Sequence, residues 1–210
     1  FEDETATYGK SWGFKDYLDA HEVPLIVVGI ECNHEGNSRL VEYCPYTFQD
    51  DTFGTIEGSG QQMMQWVVDE LKPLIDRELP TRSDRAHTWI GGSSMGGLMA
   101  LYSITHHNAV FSKAACLSPF IAPVYRELTA ECQRPLQPDT SIYLSWGSSE
   151  TRSKRSFAEI SKVNLEIANQ LQKQNIRLHL NLVVGGQHNE ACWEKEIPVF
   201  LRFFKETTAM

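Results

Sequence analysis

The chain is 210 residues long, 41% hydrophobic and 22% charged, which excludes a fibrous or disordered polymer and fits an ordinary folded domain. Its formal net charge of −8 at pH 7 excludes nonspecific attraction to nucleic acid or to an anionic membrane surface, because phosphates are repelled. No apolar run reaches the roughly 20 residues that span a bilayer, and the five scattered cysteines contain no CxxC pair, so neither a disulfide framework nor a zinc knuckle is indicated.

A single domain over residues 1–210 is expected for this length. The cysteines read as reduced thiols, with Cys116 a small buried hydrophobe. No signal peptide is legible, so a cytoplasmic protein is expected. The first residue is Phe1 rather than Met, and we expect the true start to lie upstream.

In chain order, "VPLIVVGI" (23–30) is β-branched and apolar, predicting a strand buried on both faces. Residues 31–60 show no period and carry Gly, Asn, Asp and Pro, predicting loop. From Gln61 to Leu79, apolar residues at Met64, Val67, Val68, Leu71, Leu74 and Ile75 recur at helical spacing, with a kink expected at Pro73. "HTWIG" (87–91) predicts a second strand, Met95 to His106 a helix, and "KAACLS" (113–118) a third strand. A weak helix near 121–132 precedes a fourth strand, "SIYLSWG" (141–147). Phe157, Ile160, Ile167, Ala168 and Leu171 mark the next helix face. "IRLHLNLVV" (176–184) predicts a fifth strand, and Trp193, Ile197, Phe200, Leu201 and Phe204 stripe a C-terminal helix. This alternation predicts an α/β fold, a mostly parallel central sheet with helices on both faces. In such sheets, ligands sit beyond the carboxyl ends of the strands.

One of those ends carries Gly92-Ser93-Ser94-Met95-Gly96, a G-x-S-x-G between strand and helix, which is the setting of a nucleophile elbow. A serine at so sharp a turn occupies a disfavoured backbone conformation costing about 1–3 kcal/mol. The flanking glycines let strand and helix pass closely. Ser94 fits the glycine pattern; Ser93 does not, because Met95 lies two residues after it. The turn aims the Met95 N–H at a developing oxyanion.

A serine hydroxyl needs a base, and in this architecture the partners follow in the order Ser, acid, His. His188, in "VVGGQHNEACW", lies just beyond the last strand. Of the other histidines, His21, His34 and His87 precede the serine, His106 and His107 end a helix, and His179 sits within a strand. The acid must lie between Ser94 and His188, after a strand. Glu150 follows "SIYLSWG" by three residues, where it would fix the His188 tautomer. Its alternative role is a carboxylate favoured by the dipole at the next helix N-terminus. Asp139 lies at the wrong end of the sheet, while Glu159 and Glu166 fall on the following helix.

Weaker signals take plainer readings. "CNHEGN" (32–37) offers Cys, His and Glu but no second spaced pair, so it reads as polar loop and not as a metal site. Arg39 and Glu42 in "RLVEYCP" are expected to pair and brace their loop; the alternative is that Arg39 reaches an anionic substrate. His106 and His107 read as caps of a helix C-terminus. Trp146 and Trp193 flank the acid and the base, and either walls the substrate pocket or simply packs.

Together, "GKSWG" (9–13), "PLIVVGIECN" (24–33), "RLVEYCP" (39–45), "GGSSMGGLMALYS" (91–103), "WGSSE" (146–150), "GGQHNEACW" (185–193) and "FLRFF" (200–204) cover nearly the whole chain. They resemble the esterase family of α/β-hydrolases that contains siderophore esterases, feruloyl esterases and the antigen 85 acyltransferases. The resemblance implies an α/β-hydrolase fold with Ser94, Glu150 and His188 as the catalytic triad and Met95 as one oxyanion donor. Histidine usually precedes the nucleophile in the S-formylglutathione hydrolase branch; here Ser93 does. In the family, a strand and an Asp-Gly loop come before the "GKSW" helix, and that loop supplies the second oxyanion N–H. The sequence opens past this point, so N-terminal strands of the fold are expected to be missing from it. Unless another segment fills the slot between 23–30 and 87–91, those two strands must pair directly.

The expected function is a serine hydrolase of carboxylic esters acting through an acyl-enzyme on a small-molecule ester. Neither cofactor nor metal is implied, and a homo-oligomer is compatible with the sequence. Short acyl chains are expected, because no long apolar insertion suggests a lid. The alternative is a hydrolase-fold binding or scaffold protein that has lost catalysis.

Overall fold

Four apolar runs pair in parallel to build the sheet of this computed structural model, which describes residues 9–151 and 153–206. A small antiparallel hairpin comes first, β1 (Phe48–Asp50) with β2 (Gly54–Ile56). The main sheet has the order β3 (Trp89–Ser93), β4 (Lys113–Leu117), β5 (Ser141–Gly147), β6 (Arg177–Val183). Its register sets Ser93, Leu117, Ser145 and Asn181 side by side. Ser94 and Ser118 therefore leave the sheet together at its carboxyl end, while β5 and β6 run two residues further.

Every residue of β4 and β5 is buried. Alternation along these strands sends Ala114, Cys116, Ile142 and Leu144 into one core and Ala115, Leu117 and Tyr143 into another. Over the first core lie α3 (Gly60–Trp66), α5 (Met95–His106), α6 (Tyr125–Glu131) and α7 (Lys154–Leu171). Over the second lie α1 (Phe14–Ala20) and α9 (Ile197–Lys205). In α9, Ile197, Phe200, Leu201 and Phe204 are all buried, a stripe in which each side chain contributes about 1.5–3 kcal/mol by leaving water. Helices thus cover both faces, as the alternating pattern predicts.

Two expectations need correction. Residues 23–30 form no strand among the described residues, and they do not pair with β3. Val23, Leu25 and Ile30 pack against the cores, but Ile26, Val27 and Val28 remain 46%, 43% and 41% exposed. An apolar run becomes a strand only where a neighbour supplies ladder hydrogen bonds. The Ile30 carbonyl instead accepts from the Tyr43 hydroxyl at 2.7 Å.

Residues 31–60, expected as loop, contain α2 (Ser38–Glu42) and the β1–β2 hairpin. Both are too short for a period to be legible. Around Pro73, where a kink is expected, the helix changes type without ending. One π turn, Val67–Leu71, joins α3 to α4 (Lys72–Glu78), absorbing upstream the hydrogen bond that proline cannot donate.

Candidate active site

The junction of β3 and α5 is a strained turn centred on Ser94, at φ 56° and ψ −117°. A non-glycine residue pays about 1–3 kcal/mol for such a conformation and keeps it only where its surroundings enforce it. The enforcement is visible. Ser94 N–H donates to the Leu117 carbonyl, and the Ser94 carbonyl accepts from Leu98 and Phe120 N–H, each at 3.0 Å. A Cβ on Gly92 would stand 2.6 Å from the backbone of Gly96, which is why glycine must occupy this position. Met95 is the first residue of α5 and is buried; an N–H there has no intrahelical acceptor and sits at the positive end of the helix dipole.

Beyond β5, the chain turns back at Gly147. A Cβ there would meet the Gly186 carbonyl at 2.2 Å, so glycine alone lets the loop after β6 close over the loop after β5. Ser148 N–H to Val183 O (3.0 Å), Ser149 N–H to Gly186 O (2.9 Å) and Gly185 N–H to Ser148 Oγ (2.8 Å) tie the two loops together. This brings Glu150 Oε2 to 3.3 Å from His188 Nδ1, while Glu150 Oε1 accepts the Gly147 N–H at 2.7 Å. Burial opposes ionisation of Glu150, but hydrogen bonds from His188, Ser118 and the Gly147 N–H outweigh it and hold the carboxyl below its ordinary value. With Nδ1 engaged, Nε2 of His188 is the nitrogen left to face a reacting group.

Under the imidazole lies Trp193, edge-on at 5.0 Å between ring centroids. It starts the C-terminal stripe and closes α8 (Glu190–Trp193), whose cap is the Asn189 side chain accepting Cys192 N–H at 3.1 Å. His188 thus stands one residue before a helix cap, partly exposed. An open cleft of about 310 Å³, lined by Ser149, Glu150, Thr151, Gln187, His188 and Asn189, lies over the pair.

Glu150 and His188, 38 residues apart in the chain, come into contact. No hydrogen bond joins Ser94 Oγ to His188 among the described residues. In serine hydrolases generally, the bond between nucleophile and base is often long without substrate and tightens in the complex. Glu150 is no helix cap: Ser153 caps α7 by accepting Ser156 N–H. Asp139 pairs with Arg85 at the other end of the sheet. Trp146 is buried and donates its Nε1–H to Ser161 Oγ at 3.1 Å, so it packs against α7 and is absent from the cleft lining.

Arg39 and Glu42 form no ion pair among the described residues; Glu42 Oε2 accepts the Asn33 N–H at 2.8 Å instead. His106 lies in the last turn of α5 and His107 is its C-cap residue, as read; His106 Nδ1 also lies 3.2 Å from Glu131 Oε2, an inter-helix contact. In the polar loop, Glu31, Cys32 and His34 bring their donor atoms within 4.8 Å of one another. His34 Nε2 and Glu31 Oε1 already satisfy each other at 2.7 Å.

Two buried groups beside the pair escaped the sequence reading. Ser118, directly after β4, accepts the Trp193 Nε1–H at 2.9 Å. A serine before a proline at the carboxyl end of a strand was legible in "CLSPF", had the rule locating ligand sites been applied to polar residues of every kind. Glu196 is 4% exposed and accepts from the Tyr143 hydroxyl at 2.7 Å. Burial, together with the charge of Glu150, pushes its pKa up.

A family model described as "Putative esterase" matches residues 8–204. The chain belongs to this esterase family. Its relatives include the uncharacterized protein YbbA of Bacillus subtilis (strain 168), 25% identical over 181 residues that cover 82% of this chain and 70% of YbbA. Among solved structures, the BES protein from Bacillus cereus superposes with a TM-score of 0.66 at 18% identity, covering 83% of this chain and 66% of that one. An IroE-like serine hydrolase from Shewanella oneidensis superposes with a TM-score of 0.65 at 18% identity, covering 80% and 57%. The esterase-family chain shares their α/β-hydrolase fold and spans about two-thirds or less of these two structures.

Proposed function

We propose that the protein is a serine hydrolase of carboxylic esters. The observation that carries this reading is the backbone of Ser94, held at φ 56° at the carboxyl end of the sheet on the same rim as the Glu150–His188 pair. Strain so strongly enforced at one serine has a use in presenting a nucleophile. Membership of the esterase family supports the same reading.

In this mechanism Ser94 Oγ attacks the ester carbonyl carbon as His188 Nε2 takes its proton. The oxyanion forms beside the Met95 N–H, and Glu150 stabilises the imidazolium through Nδ1. Collapse of the tetrahedral intermediate expels the alcohol, which takes the proton from His188 and leaves an acyl group on Ser94. Water, activated by the same histidine, then releases the acid and regenerates the serine. We assign short acyl chains to the substrate, because the cleft beside His188 is open and the sequence carries no long apolar insertion.

Labelling the full-length protein with a fluorophosphonate probe tests the reading. Ser94 should be modified in the wild type and the label lost in Ser94→Ala. A folded protein that stays unlabelled would favour a binding or scaffold role. Turnover of p-nitrophenyl esters from acetate to palmitate tests the acyl preference, and a preference for palmitate would overturn it.

A further inference from the structure

We propose that Ser118 is a positioning residue of the site, its hydroxyl joining the Glu150 carboxylate to the Trp193 indole so that the acid and the ring beneath His188 are held as one unit. The proposal rests on the serine-hydrolase reading above and adds to it a residue outside the triad.

The geometry begins at the backbone. Ser118 has φ 44°, in the left-handed region that favours glycine, and it precedes Pro119, a position from which helical conformations are sterically disfavoured. Its N–H donates to the Ser145 carbonyl at 2.8 Å, which pins the turn to β5. The side chain is 4% exposed. A hydroxyl has one proton to give. Ser118 Oγ accepts the Trp193 Nε1–H and hydrogen-bonds the acceptor-only carboxylate of Glu150, so its own proton goes to Glu150.

The neighbouring residues of the same corner hold the nucleophile. Leu117 O accepts the Ser94 N–H, and Phe120 N–H donates to Ser94 O. Within the stretch 117–120, Leu117 and Phe120 thus brace Ser94 through the main chain, and Ser118 braces Glu150 and Trp193 through its side chain. Three separate stretches of sequence meet at this corner. The strained φ is what turns the Ser118 side chain towards the acid while its main-chain neighbours stay on the elbow.

The titratable groups facing Glu150 are His188, from the loop after β6, and Glu196, from the turn before α9. Deleting the Ser118 hydroxyl removes a bond to the charged form of Glu150, so the acid should protonate at higher pH. The acid limb of the activity profile should then move upward.

Two variants, Ser118→Ala and Ser118→Gly, test this; glycine accepts φ 44° without strain and guards against misfolding of the alanine variant. Both should lower kcat by about 10–100-fold, the value of a hydrogen bond to a charged group. KM should stay within about twofold, and the acid limb should shift upward. Trp193→Phe, which keeps the ring under His188 but removes the N–H, should give a smaller loss of the same kind. If the wild type is active and Ser94→Ala is dead, but a folded Ser118→Gly keeps wild-type kcat and pH profile, the proposal is overturned and the triad stands. If Ser118→Gly loses activity only through KM or thermal midpoint, Ser118 is merely structural and the proposal is again overturned. Absence of any Ser94-dependent hydrolysis in the wild type would remove the underlying reading, and the proposal with it.

Discussion

Ser94 and His188 sit on one rim of the sheet but are held in different ways. Ser94 is locked by its own backbone: a strained turn, three main-chain hydrogen bonds and a glycine contact with no room for a methyl group. His188 is partly exposed, and its side chain is oriented by the Glu150 carboxylate, 38 residues away, and by the Trp193 ring at the end of the short helix that follows it. The proposed nucleophile is thus local and over-determined, whereas the proposed base is placed largely by tertiary contact. Such a site tolerates little change at the elbow but can lose its base through substitutions that touch neither residue.

The harshest way to break the contrast is to remove its two poles. Ser94→Ala and His188→Ala should each cost about 10⁵–10⁶-fold in kcat, and the double variant no more than either alone, because the pair acts as a unit. Additive losses in steady-state kinetics would contradict this. Glu150→Gln should cost about 10³–10⁴-fold, since its amide offers a proton to Nδ1 and favours the wrong tautomer. Retention of full activity would move the acid elsewhere, with Glu159 next in line.

Gly147→Ala sharpens the comparison because it touches neither Ser94 nor His188, although its Cβ would also crowd Glu150 Cγ at 3.1 Å. Its Cβ would collide with the Gly186 carbonyl and push apart the loops that join Glu150 to His188. A displacement of about 1 Å is enough for a loss of about 10²-fold. Fluorophosphonate labelling of Ser94 should slow in parallel while the fold, followed by circular dichroism, persists.

The smallest effect concerns Glu196. Its carboxyl is raised above the ordinary 4.5, so the folded state holds that proton more tightly than the unfolded state. The resulting stability is fully present below pH 4.5 and is lost as pH rises through the folded value. Glu196→Gln removes this loss and leaves an oxygen for the Tyr143 hydroxyl. Its thermal midpoint should gain on the wild type as pH rises from 4.5 to 8. Glu150 has the opposite sign: its lowered carboxyl stabilises above pH 4.5 and ceases to do so as pH falls through its folded value. A constant midpoint difference across pH would refute the assignment for Glu196.

Most of the main sheet was legible because its strands are short, apolar and separated by amphipathic helices. The run 141–147 is a strand as read. The equally apolar run 23–30 is not, because a pattern of side chains reports burial preference and says nothing about who supplies the ladder. The hairpin within 31–60 was illegible for a different reason: three-residue strands are shorter than any period.

By itself the sequence determined the β3–α5 turn, since Gly92, Ser94 and Gly96 are neighbours and their steric demands act over a few residues. It also determined the order in which the acid and base follow. Tertiary structure alone decided that Glu150 meets His188, because the contact depends on Gly147 passing Gly186 across two loops. It alone brought Ser118 to the Glu150 carboxylate and to the Trp193 indole. Those contacts join residues 32 to 75 positions apart, and over such separations only the register of β4, β5 and β6 fixes which side chains share a space.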